Sequence, residues 1–209
     1  MRFVIFIVIG IIAFVIVFII SKYQKPVIKF DDLIEEERER GTIFFHEDDY
    51  CQIELIPYEN FNELIKQADN ISEFSSTNFV GDGWADMMVR EGQKIKLYER
   101  GIPIVKLEEV LKKLNTQKHT YVETGYGSNY RVKSKNTIGF GKSYSAIYCN
   151  YSDRKVENIW MTNISLFNNE KVEEVLFQIG KKWDLLLMDW EASQLIDLKN
   201  RDQIKNYLK

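Results

Sequence analysis

The chain divides by the period of its hydrophobic positions. From Phe3 to Ile20 it carries no charged or strongly polar side chain. A helix of that length and apolarity spans a bilayer, because it satisfies every backbone N–H and C=O internally while its side chains face lipid. The run ends Ile19-Ile20-Ser21-Lys22 with no small-x-small cleavage pattern, so it reads as an uncleaved single-span anchor (residues 1–22) and not as a signal peptide. A buried core helix would not be apolar on every face. Lys22, Lys25 and Lys29 follow the span, whereas Arg2 and the amino terminus precede it. By the positive-inside rule this leans the remainder of the chain toward the cytoplasmic side of the cell membrane.

Residues 23–41 form a linker whose charged stretch, 31–40, reads as a solvated helical spacer ended by Gly41. Beyond it the period changes. Cys51, Ile53 and Leu55 alternate with Gln52 and Glu54, the pattern of a half-buried strand that Pro57 stops. A preceding strand is expected over 42–45. Asn60 with Glu63 three residues on predicts a capped helix whose stripe is Phe61, Leu64, Ile65, Ala68 and Ile71. Residues 80–84 read as a turn, and Met87-Met88-Val89 as a candidate strand. A short helix over about 105–114 buries Leu107, Val110, Leu111 and Leu114, its early glutamates and late lysines matching the helix dipole. Residues 115–142, polar and spotted with Gly125, Gly127, Gly139 and Gly141, read as a seam between two subdomains or as a long functional loop.

The C-terminal part reads more clearly. Strands over 144–151 and 156–164 flank a turn at 152–155. A helix over 170–181 follows, then a second hairpin over 185–190 and 194–198, then a last helix capped by Asn200 with Gln203 at the third position. The order β-β-α-β-β-α predicts an α+β domain over 42–209, an antiparallel sheet with helices packed on one face.

Charge and chemistry alter this picture only modestly. The formal net charge is −3; without Arg2, Lys22, Lys25 and Lys29 the same count is about −7. Phosphate binding needs a basic stripe, and none is present, so nucleic acid is excluded as a partner. Cys51 and Cys149 sit in apolar-alternating strands; they read as buried thiols, although a disulfide is open to them in an oxidising compartment. The densest polar cluster is His46-Glu47-Asp48-Asp49. It suggests a metal site or a His–Asp general base, and hence a metal-assisted hydrolase using His46, Asp48 and Asp49. Its spacing matches no helical H-E-x-x-H and no calcium loop, and adjacent strand residues point to opposite faces, which favours an exposed acidic turn. His119 lies in the polar stretch with nothing to place it beside His46. Gly125-Tyr126-Gly127 lacks the context of a phosphate loop. No cofactor is implied. Trp84, Trp160, Trp183 and Trp190 are expected mainly in packing. Asp82 and Trp84, together in their turn, join His46, Glu47, Asp48 and Asp49 as candidate interaction residues. So do Asp189 and Trp190; the carboxylates of Asp189 and Asp197, lying next to apolar strands, are expected to face solvent unless they serve a partner.

Three stretches carry a resemblance: residues 44–55, the turn Gly83-Trp84-Ala85-Asp86-Met87, and Leu187-Met188-Asp189-Trp190 with the tail through Leu208. They resemble uncharacterised bacterial α+β proteins of toxin-immunity type, over most of residues 42–208. The resemblance implies a module that binds a protein partner, such as a toxin, and supplies no catalytic residues. The anchor departs from the soluble form of such proteins.

Overall fold

Alternating apolar residues in the C-terminal half form a seven-stranded sheet around which everything else is arranged. The structure is a computed structural model that describes residues 42–209 apart from Trp84, Met87, Ser128, Asn129, Ser165 and Leu166. The expected anchor at 3–20, the spacer at 31–40 and Trp84 therefore lie outside the described residues. Among the described residues no helix is long and apolar enough to cross a membrane.

The strands are β1 (Ile43–His46), β2 (Ile53–Pro57), β3 (Lys118–His119), β4 (Val122–Gly125), β5 (Arg131–Lys133), β6 (Thr137–Lys142), β7 (Ser145–Ser152), β8 (Lys155–Thr162), β9 (Leu185–Asp189) and β10 (Gln194–Asp197). The helices are α1 (Phe61–Asn78), α2 (Ile104–Leu111), α3 (Asn169–Trp183) and α4 (Arg201–Tyr207). The large sheet runs β10-β9-β2-β8-β7-β6-β3, and each pair in it is antiparallel. The two expected hairpins, β7–β8 and β9–β10, both form, and β6 and β7 make a third. At the β7–β8 turn Asp153 and Arg154 both take positive φ, 48° and 63°, which matches the right-handed twist of the flanking strands. Asn200 caps α4 as its spacing predicts, its Oδ1 accepting the N–H groups of Asp202 and Gln203.

The main core lies on one sheet face. Leu55, Ile147, Cys149, Ile159, Leu185 and Leu187 meet Leu107 and Leu111 of α2, Val172, Val175, Leu176 and Ile179 of α3, and Ile204 of α4. The helices do not all share that face. Leu64 and Ala68 of α1 pack with Ile56, Leu186, Met188 and Trp190, side chains one residue out of phase with Leu55, Leu185 and Leu187, and so on the opposite face. Beside that cluster a small sheet, β1-β4-β5, lays Ile43, Phe45 and Val122, with Cys51 of the turn before β2, on Ala146, Tyr148 and Trp160.

This two-sided cover corrects several expectations. Residues 115–142 are not a loop, because they hold β3 to β6 and feed both sheets. Gly139 lies where the two sheets touch: a Cβ there would run into Ile43 and come within 3.0 Å of Tyr148. Met88 and Val89 lie in no strand and are exposed. Asn60 does not cap α1; its side chain brackets Ile95, Oδ1 accepting the Ile95 N–H and Nδ2 donating to the Ile95 carbonyl. Cys51 and Cys149 are free buried thiols in different clusters, on opposite sheet faces.

Gly180 marks the tightest helix contact. A Cβ there would stand 2.6 Å from the carbonyl carbon and oxygen of Leu198, which are backbone atoms that cannot rotate away. Gly180→Ala gains about 1 kcal/mol of helix propensity but overpacks the seam, and a net loss of about 1–3 kcal/mol is expected. Urea unfolding of the two chains measures it, and an unchanged or raised midpoint would contradict this packing.

Candidate functional site

The polar residues that converge are not those that cluster in the sequence. On the second face, between the α1 core and the small-sheet core, β2 presents Glu54 opposite Trp160 and Met188. Strand alternation predicts a solvent-facing carboxylate there. Both faces are covered, however, and Glu54 is only 7% exposed. Its Oε1 accepts the indole N–H of Trp190 at 2.8 Å and its Oε2 accepts Gln93 Nε2 at 3.1 Å. Residues 88–96 form no helix or strand but are tied across the sheet. Arg90 donates to the Cys51 carbonyl at 3.2 Å and lies 4.8 Å from the centre of the Trp190 ring, while Ile95 is held by Asn60. Below this strap is an open cleft of about 780 Å³, lined by Tyr50, Glu54, Gln67, Arg90, Gln93, Tyr98, Asn158 and Trp190 among others.

The turn before β2 sets the near wall. Glu47–Asp49 form a single 3-10 turn, and Cys51 follows with φ 54°, a backbone region that costs a non-glycine residue about 1–2 kcal/mol. This reversal lays Tyr50 edge-on against Trp160, with centroids 4.9 Å apart, and brings its hydroxyl to accept from Asn158 Nδ2 at 3.0 Å.

Electrostatics here favour protonated forms. Burial raises the Glu54 carboxyl above its ordinary value, opposed by the Trp190 N–H, the Arg90 charge and the Gln93 amide. Burial also pushes the Cys51 thiol up to about 12, with the nearby Glu54 charge adding to it. Burial raises the Tyr50 phenol as well, reinforced by Cys51. A thiol so placed is not a thiolate nucleophile at neutral pH, and no histidine is among the described residues lining the cleft. The arrangement suits binding: aromatic walls, one buried carboxylate and several convergent amides.

Of the sequence-predicted candidates, His46 and Asp48 come together, Nδ1 3.4 Å from Oδ2, and the others that are described disperse. His46 ends β1 and caps the turn, its Nδ1 accepting the Asp48 N–H at 3.3 Å. Glu47 and Asp48 are exposed, while Asp49 lines a separate hollow with Gln52, Tyr144 and Glu191. Among the described residues no three His, Cys, Asp or Glu side chains stand close enough to share a metal ion. Asp82 is exposed in its turn. His119 lies on β3, buried, with Nε2 donating to the Gly141 carbonyl at 3.0 Å, which is a packing role. Asp189 does not face solvent. It is buried on the main-core face, accepting the Ala192 N–H and the Tyr207 hydroxyl, each at 2.9 Å. Trp190, one residue on, points to the other face and into the cleft. Asp197 is half-buried and accepts the Lys199 N–H.

Of the expected residues that the structure describes, then, only Trp190 belongs to this site. Glu54, Gln67, Arg90 and Gln93 carried one readable signal, a carboxylate within an apolar strand, and it is ambiguous without knowledge of the second layer. No family model, no curated protein and no solved structure matches the chain.

Proposed function

We propose that this chain is a single-pass membrane protein whose α+β domain is a protein-interaction module, directed at a toxin that it neutralises. The observation that carries the reading is the cleft at Glu54 with its rim. Tyr50, Arg90 and Trp190 are of the residue types that dominate binding hot spots. Immediately before Arg90 in the chain, Met88 and Val89 are exposed, Val89 to 80%. Exposed apolar side chains beside a cleft of aromatic and charged residues fit a contact surface better than a solvated one. The apolar run 3–20 supports the tether, and the resemblance to immunity-type proteins supports the class of partner. Most of the acidity sits in the spacer: residues 31–40 hold six acids and two arginines. Electrostatic attraction of a basic partner is therefore strongest in the stretch that follows the anchor.

Site-specific cross-linking in the native host tests this reading. A photoreactive phenylalanine analogue in place of Val89 in the full chain should give an adduct with one protein, and the same analogue in place of Lys205 on α4 should not. That protein, expressed alone, should arrest growth, and co-expression of this chain should relieve the arrest. No adduct at position 89, or identical adducts at both positions, would refute the interaction surface. An adduct with a harmless protein would refute the toxin.

A further inference from the structure

We propose that the floor of the Glu54 cleft binds a cationic N–H donor, an ammonium or guanidinium group. The inference deepens the binding-module reading and rests on it. Gln67 of α1 lines the cleft and is only 6% exposed, and its Oε1 has no hydrogen-bond partner among the described residues. Buried amide oxygens are rarely left so, and an unmet acceptor costs about 1–3 kcal/mol that an incoming N–H recovers once the Gln67 amide turns its oxygen to the cleft. Glu54 adds further acceptor capacity. An ionised carboxylate offers about four lone-pair sites, of which Trp190 and Gln93 each take one.

The walls select for charge. Glu54, Glu91 and Glu157 line the cleft against Arg90 and Lys96, so an anion would meet the buried carboxylate directly. An apolar ligand would leave the Gln67 oxygen unmet. The chain displays the chemistry itself, since the Arg90 guanidinium lies over the Trp190 indole, the arrangement in which a ring face attracts a cation. Tyr50 and Tyr98 supply further aromatic surface. Because burial holds the Glu54 proton, cation binding and loss of that proton are coupled, and affinity rises with pH.

The full chain in detergent micelles is titrated with butylguanidinium, with acetylated Gly-Arg-Gly amide and with its Gly-norleucine-Gly counterpart, while the Trp190 indole N–H resonance is followed. Butylguanidinium or the arginine peptide should shift it saturably and the norleucine peptide should not. Hexamethylguanidinium, a cation without N–H groups, should not bind, and this arm needs no variant. Gln67→Met and Glu54→Gln should each weaken binding about tenfold, with cooperative unfolding retained as the check on folding. Saturation by butylguanidinium alone identifies a free small cation as sufficient, whereas saturation only by the peptide identifies a polypeptide side chain; either supports the inference. No saturation by about 20 mM of any probe, equal binding of hexamethylguanidinium, or full affinity in a folded variant overturns it. Should that happen while the cross-link from position 89 still forms, the partner holds the rim and the interaction reading stands without the cation.

Discussion

Trp160→Ala lowers the unfolding free energy by about 3–5 kcal/mol, whereas Trp160→Phe costs less than half as much. Trp160 is fully buried and joins the two layers of the second face. It stacks on Tyr148 with centroids 5.4 Å apart and meets Phe45 at 5.2 Å and Tyr50 at 4.9 Å. Alanine empties the centre of that cluster and removes the wall against which Tyr50 rests. Phenylalanine keeps most of the ring contacts. It also deletes the indole N–H, which is buried without an acceptor among the described residues and therefore contributes a desolvation cost and no bond. Urea unfolding of the full chain and both variants decides the matter. Equal losses for alanine and phenylalanine would show that Nε1 has a partner whose bond matters.

The second large effect is a pH dependence carried by Glu54. Its folded-state carboxyl is raised above the ordinary value of 4.5 by burial. The native state therefore holds this proton more tightly than the unfolded chain does. The associated stability is fully present below the unfolded value and is lost as pH rises through the folded one. The stability difference between wild type and Glu54→Gln should accordingly move against the wild type as pH rises from about 4.3, then level off above the folded value. Glutamine keeps the shape and an acceptor for Trp190 while removing the ionisation. Unfolding midpoints for the two chains across pH 4 to about 8 give the difference curve; a flat curve, or one that favours the wild type at high pH, would mean that the Trp190, Gln93 and Arg90 contacts outweigh burial.

Much of the fold is readable from local pattern because it is held by local rules. The hairpin at Asp153-Arg154, the stripe of α2 through Leu107 and Leu111, and the Asn200 cap each depend on residues a few positions apart, and each forms as expected. Where local rules compete with a distant surface, the distant surface wins. Asn60 has a capping residue's sequence context, yet its amide brackets Ile95, because the strap at 88–96 brings unpaired backbone groups to it. The glycines of 115–142 look like loop punctuation, but Gly139 is small because Ile43 and Tyr148 crowd it. Asp189 and Trp190 are neighbouring candidates in the sequence, and strand alternation sends them to opposite faces.

The amino-acid sequence by itself determined the α+β class, the two C-terminal hairpins, the order of the helices and the apolar run 3–20, since each follows from hydrophobic period and turn chemistry over short spans. The tertiary structure alone decided that β2 sits between β9 and β8 and that the sheet is covered on both faces. Those two facts bury Glu54 and bring Gln67, Arg90, Gln93 and Trp190 around it. Long-range strand pairing and the packing of a second layer depend on which surfaces bury the most apolar area together, a sum over residues up to 136 positions apart that no local window contains.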